Sequence, residues 1–161
     1  MRRSLALSFL GFLMPAIALL LVATAAFADE QVLEFQFVVK PVDMKVVQAP
    51  NVEGRQLTAG TWFGVAFFKD GRVAVKDFVN AQDYLNGAGV DHGYSTYTFE
   101  DGSSITASYT GEKGHGEYTI LSGTGLYDKA TGTGSYDFVK PFKTGAYLFN
   151  GKFNVKTPLT R

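Results

Sequence analysis

The sequence predicts an all-β domain, and three observations carry that prediction. Apolar and polar residues alternate with a period of two along most of the chain after residue 28, and no stretch of ten or more residues carries a helical stripe. Asp-Gly pairs at Asp70-Gly71 and Asp101-Gly102 punctuate the alternation where hairpins would turn.

The elements follow in order. In residues 32–39, Leu33, Phe35, Phe37 and Val39 share one face and Glu34 and Gln36 the other, as in a strand with one buried side. A short strand near 44–48 comes next. Strands over 61–68 and 73–79 flank Lys69-Asp70-Gly71-Arg72, and strands over 94–99 and 104–109 flank Glu100-Asp101-Gly102-Ser103. In both pairs Asp-Gly is expected to supply the positive-φ residues of a tight turn. Strands over 117–121, 133–139 and 146–155 complete the set. In the last of them Tyr147, Phe149, Gly151, Phe153 and Val155 oppose Leu148, Asn150, Lys152 and Asn154. Eight or nine short strands at this spacing form a barrel or a sandwich. Segments 48–60 and 80–92 are expected as long loops, candidates for a rim or lid. Residues 159–161 are expected to fray.

The first 28 residues read as a cleavable export signal. Arg2 and Arg3 precede an apolar run over 5–22, and Ala26-Phe27-Ala28 is a small-x-small cleavage site before Asp29. The run is strongly apolar and the arginine pair stands alone, which fits the general secretory route and an extracytoplasmic, periplasmic or secreted, destination. Gly11 and Pro15 interrupt the run and no basic cluster follows it, so cleavage is expected rather than stable membrane insertion. Residues 29–161 then form a single β domain carrying about −2 charge. A faintly acidic domain lacks the basic face that nucleic-acid binding requires. With no cysteine in the chain, stability rests on packing and backbone hydrogen bonds. A domain of this size buries roughly two thirds of its unfolded surface, enough for a core without staples.

Aromatic residues are abundant: eleven of the fourteen Phe, all eight Tyr and the single Trp follow residue 28. Buried tyrosine requires a hydrogen-bond partner. Rings in that number therefore suit either an interior with polar atoms or a surface belt of half-exposed rings, and such an interior either holds a hydrophobic or aromatic ligand or is filled by side chains. The residues expected to line such a cavity are Trp62, Phe67, Tyr97, Tyr109, Tyr118 and Tyr147. Candidates for acid–base work are Glu117 and Tyr118, which alternate, so that only one of them faces inward. Glu34 shares a face with Gln36 and is expected in solvent. His92 and His115 lie far apart, each flanked by glycine in an expected loop, short of the three or four converging ligands that a metal needs. No metal site and no organic cofactor are expected.

Segment 117–134 contains glycines at 123, 125, 132 and 134. No Gly-Lys-Ser/Thr follows and no long helix opens there, so it is not a phosphate cradle. Gly123-Thr124-Gly125, Tyr127, Ala130 and Gly132 instead resemble the Gly-Thr-Gly-x-(Tyr/Phe)-x-x-Ala-x-Gly signature of the allene oxide cyclase and dirigent barrel superfamily. The signature covers about ten residues, and a looser strand pattern extends over most of 32–155. The resemblance implies an antiparallel eight-stranded, calycin-like barrel, a strand end and short helical turn at the signature, frequent oligomerisation, and work on a bound small molecule without a cofactor. It transfers no catalytic residues. Gly60-Thr61-Trp62 also resembles the Gly-x-Trp of lipocalins, whose other motifs are absent, and Trp62 is alternatively a plug at one barrel end. The leading expectation is a barrel that binds a small hydrophobic or aromatic ligand in its lumen. A cofactor-independent cyclase or isomerase and a non-catalytic homo-oligomeric interaction protein are the alternatives.

Overall fold

The computed structural model describes residues 28–158. The expected export signal and the expected C-terminal fraying fall outside this range. Eight strands follow one another: β1 (Ala28–Gln48), β2 (Arg55–Phe68), β3 (Val73–Leu85), β4 (Ala88–Phe99), β5 (Ser104–Glu112), β6 (His115–Thr124), β7 (Thr131–Pro141) and β8 (Tyr147–Pro158). Each pairs antiparallel with the next, and β1 closes the barrel against β8. Closure removes the exposed sheet edges that an open sheet would carry.

Strand β1 absorbs the expected short strand near 44–48. Its register against β2 steps at Pro41–Asp43, where Pro41 contributes no N–H, and the chain continues as one 21-residue strand through the bulge. The two expected long loops are also corrected. Strand β2 begins at Arg55, leaving only 49–54 as a connection. Strands β3 and β4 run on until the Asn86-Gly87 turn, where both residues adopt positive φ as a two-residue hairpin requires.

At Asp70-Gly71 and Asp101-Gly102 only the glycines take positive φ. The aspartates cap the turns instead, accepting from the Arg72 N–H at 3.1 Å and the Ser103 N–H at 2.9 Å.

One end of the barrel is solid. Phe35 lies 4.8 Å from Phe68 and 5.0 Å from Phe153, ring centre to ring centre, and Phe99 closes on Phe68 at 5.0 Å. Leu33, Ile105, Ile120 and Val155 fill the spaces between. Phe35 lies across Gly151, where an added Cβ would fall 2.3 Å from the ring, so a residue without a side chain is what admits the phenyl group. The glycine-rich segment caps this end. Strand β6 stops at Thr124, a 3₁₀ turn spans Gly125–Tyr127, and β7 starts at Thr131. Gly125 and Gly132 hold φ of +59° and +141°, and Tyr127 and Ala130 are buried. Arg72 donates to the Tyr127 hydroxyl and sits 5.2 Å from the Phe99 ring centre, sealing the floor.

Candidate functional site

The other end is hollow. A cavity of about 790 Å³ opens where the β3–β4, β5–β6 and β7–β8 turns gather. Its walls come from every strand because alternate residues of each point inward. Two ring pairs form apolar walls: Trp62 stacks on Phe78 at 5.5 Å and 18°, and Phe37 on Phe149 at 5.0 Å and 8°. Polar groups occupy the depth and one flank.

Lys76 of β3 lies at the deep end with 2% of its surface exposed. Its Nζ donates to the Tyr97 hydroxyl at 2.7 Å and the Tyr118 hydroxyl at 3.1 Å, and those two oxygens are 2.9 Å apart. Nζ also sits 4.4–4.7 Å from the ring centres of Tyr97, Phe37 and Phe78. Among the described residues no carboxylate pairs with it. Burial pushes the amine well below the ordinary lysine range, while the ring faces around it favour a cation and oppose that shift. Burial also pushes the Tyr97 and Tyr118 phenols up. Burial thus disfavours charge on all three members of the triangle.

A second cluster lies nearer the mouth. Asn80 Nδ2 donates to the Tyr109 hydroxyl at 2.9 Å, and that hydroxyl donates to the Val79 carbonyl at 3.1 Å. Tyr136 donates to Asp91 Oδ2 at 3.1 Å. Burial raises the Asp91 carboxyl, opposed by its bonds from Tyr136 and Asn80. Two buried polar atoms in the wall, Trp62 Nε1 and Asn80 Oδ1, find no partner within the described residues. Each unpaired group costs about 1–3 kcal/mol.

Of the residues expected to line the lumen, Trp62, Tyr109, Tyr118 and Tyr147 do so. Tyr97 is fully buried behind the wall and reaches the cavity group Lys76 through its hydroxyl. Phe67 is a correction: it points outward and is 54% exposed. Both faces of β2 are apolar, and it is the Trp62, Gly64, Ala66 and Phe68 face that turns inward. Glu117 is a second correction. Tyr118 takes the lumen, so Glu117 lies outside, where His115 bridges it at 2.9 Å and Asp137 at 2.8 Å. His92 and His115 stand in strands rather than loops, and both are exposed. Glu34 faces outward and pairs with Lys69. Among the described residues no cluster of three or more His, Asp or Glu side chains is arranged to hold a metal ion.

Sequence reasoning missed Lys76, Asn80, Asp91 and Tyr136. Strand β3 carries Val73, Val75 and Val79 on its more apolar face, yet that face is outside, and Ala74, Lys76, Phe78 and Asn80 point in. The signal that was available is the alternation of Lys76 with Ala74 and Phe78.

The closed order of eight antiparallel strands also decides the comparison with known structures. Two pterocarpan synthase dirigent proteins, GePTS1 and PsPTS1, match with TM-scores of 0.60 and 0.56. The chain has the dirigent fold. Each alignment covers 82% of this chain, and 92% and 97% of the two dirigent chains, at 16% identity. No protein-family model matches the sequence, and no curated protein matches it. In this dirigent-type barrel the solid end carries the glycine signature and the hollow end carries the polar rings.

Proposed function

We propose that this dirigent-type barrel binds a flat aromatic molecule bearing oxygen substituents in its hollow half. The observation that carries the reading is the pairing of stacked ring walls with a polar flank, Gln82, Tyr84 and Asp91, in one cavity. An aromatic ring covers the apolar walls, and its oxygen groups pair with that polar flank. Trp62 is the single tryptophan, so it reports occupancy directly. Titration with 2-naphthol is expected to quench its fluorescence to saturation. Unchanged emission, together with no thermal shift, refutes ligand binding at this wall.

Export belongs to the same proposal and is supported by the sequence pattern of residues 1–28. The mature protein is then expected to begin at Asp29, which N-terminal sequencing checks. A second reading, cofactor-independent isomerisation or cyclisation, is favoured by Asp91, a carboxyl group at the cavity with a raised pKa and a phenol bonded to it. Loss of turnover but not binding in Asp91→Asn supports it, and equal turnover in that variant refutes it.

A further inference from the structure

We propose that Lys76 is a carbonyl-reactive amine, which captures an aldehyde or ketone in the lumen as an imine. The inference rests on the binding reading above and deepens it by naming the reactive group of the ligand. Three features meet at one atom. The Lys76 amine stands at the deep end of a cavity large enough for an aromatic ligand. Among the described residues it has no carboxylate to hold it as an ammonium. Two phenols stand within hydrogen-bond reach, Tyr118 on the cavity wall and Tyr97 behind it.

A lysine desolvated among apolar groups keeps its lone pair, which is the condition for nucleophilic attack on a carbonyl. The other groups facing Nζ are the rings of Phe37 on β1, Phe78 on β3 and Tyr109 on β5, none of which restores a charge. Lys69, Lys113 and Lys156 differ on every count: they are exposed and paired with carboxylates.

The step balances without a co-reactant. The Nζ lone pair forms a bond to the carbonyl carbon as the C=O π pair moves onto oxygen, which takes the Tyr118 phenolic proton. The nitrogen then returns a proton to that phenolate through the Tyr97–Tyr118 contact of 2.9 Å. Breaking the C–O bond with a second phenolic proton expels the oxygen, and loss of the remaining N–H restores the phenol. One imine and one water result: the phenols give the oxygen two protons, and the two N–H protons of the amine restore them.

The test incubates the protein with 2-naphthaldehyde near neutral pH, reduces with cyanoborohydride, and reads adducts by intact mass and peptide mapping. One adduct at Lys76 is expected. It disappears in Lys76→Met, and it forms at least about a hundredfold more slowly in Tyr118→Phe, the lower bound for losing an acid–base group. Adduct formation at Lys76 in the wild type is expected to level off at lower pH than labelling of exposed lysines, which climbs about tenfold per pH unit up to their pKa near 10.4. That profile requires no variant to fold. Adducts spread over exposed lysines with an unmodified Lys76 peptide overturn the inference. 2-Naphthylmethanol separates the two levels: quenching of Trp62 by the alcohol without an aldehyde adduct defeats the imine alone. Absence of quenching by either compound defeats the binding reading beneath it.

Discussion

Replacing Lys76 with Met exchanges a buried amine for a side chain of similar length that has no proton to bind. The folded pKa of Lys76 lies well below its unfolded value because burial disfavours the ammonium. Between those two values the unfolded chain binds a proton that the native barrel does not, so wild-type stability rises with pH. The slope for one such proton is about 1.4 kcal/mol per pH unit. From about pH 8 to about pH 9.5, below the unfolded lysine pKa, wild type gains about 2 kcal/mol relative to Lys76→Met. Other titrating groups are common to both chains and cancel in the difference. With a urea m-value of about 2 kcal/mol/M, the wild-type midpoint moves by about 1 M relative to the variant. The lost Nζ hydrogen bonds, each worth about 0.5–1.5 kcal/mol, shift the offset between the two curves but not their slopes. The Tyr97–Tyr118 bond remains to satisfy both phenols in the variant. Urea melts at four pH values across the window measure the effect. A wild-type minus variant difference that stays constant with pH refutes the reasoning, because Lys76 would then carry its charge inside the fold.

Asp91→Asn reverses the sign. The folded Asp91 pKa is raised, so the native state holds the proton more tightly and wild-type stability falls as pH climbs from the unfolded value through the folded one. The variant is expected to gain on wild type between about pH 3.5 and about pH 7, as urea melts at both ends would show; a constant difference counts against burial of the carboxyl. Gly93→Ala places a Cβ 1.9 Å from the Val79 carbonyl oxygen and 2.6 Å from the Tyr109 hydroxyl. The backbone atom cannot rotate away, and a cost of about 1–3 kcal/mol is expected in denaturant melts, typical of overpacking. Phe67→Ser, on the outer wall, is expected to leave 2-naphthol affinity within about twofold of wild type, since surface changes away from a site alter free energies by about 0.5 kcal/mol or less. A larger loss in the same fluorescence titration would return Phe67 to the site.

Legibility along the chain tracks the state of the lumen. Where the interior is solid, inward residues such as Leu33, Phe35, Phe99, Phe153 and Val155 are apolar and outward ones polar, so alternation locates strands and faces together. Toward the mouth the inward residues are Thr58, Asn80, Gln82, Tyr84 and Asp91. A polar lumen removes the contrast between the two sides, and the extensions of β2, β3 and β4 there are taken for loops. The outer face of β2 and β3 creates the opposite problem: Phe63, Val65, Phe67, Val75 and Val79 make it look like a core.

The sequence by itself determined the all-β class and the two Asp-Gly hairpins, because each rests on local backbone preference or on period-two alternation. Only the tertiary structure decided which face of β2 and β3 turns inward, that half of the barrel is hollow, and that Lys76 meets Tyr97 and Tyr118 there. Alternation divides a strand into two faces without naming the inner one. Closure of the eight strands makes that choice, and with it brings side chains 21 and 42 positions apart in the chain within one hydrogen-bonded triangle.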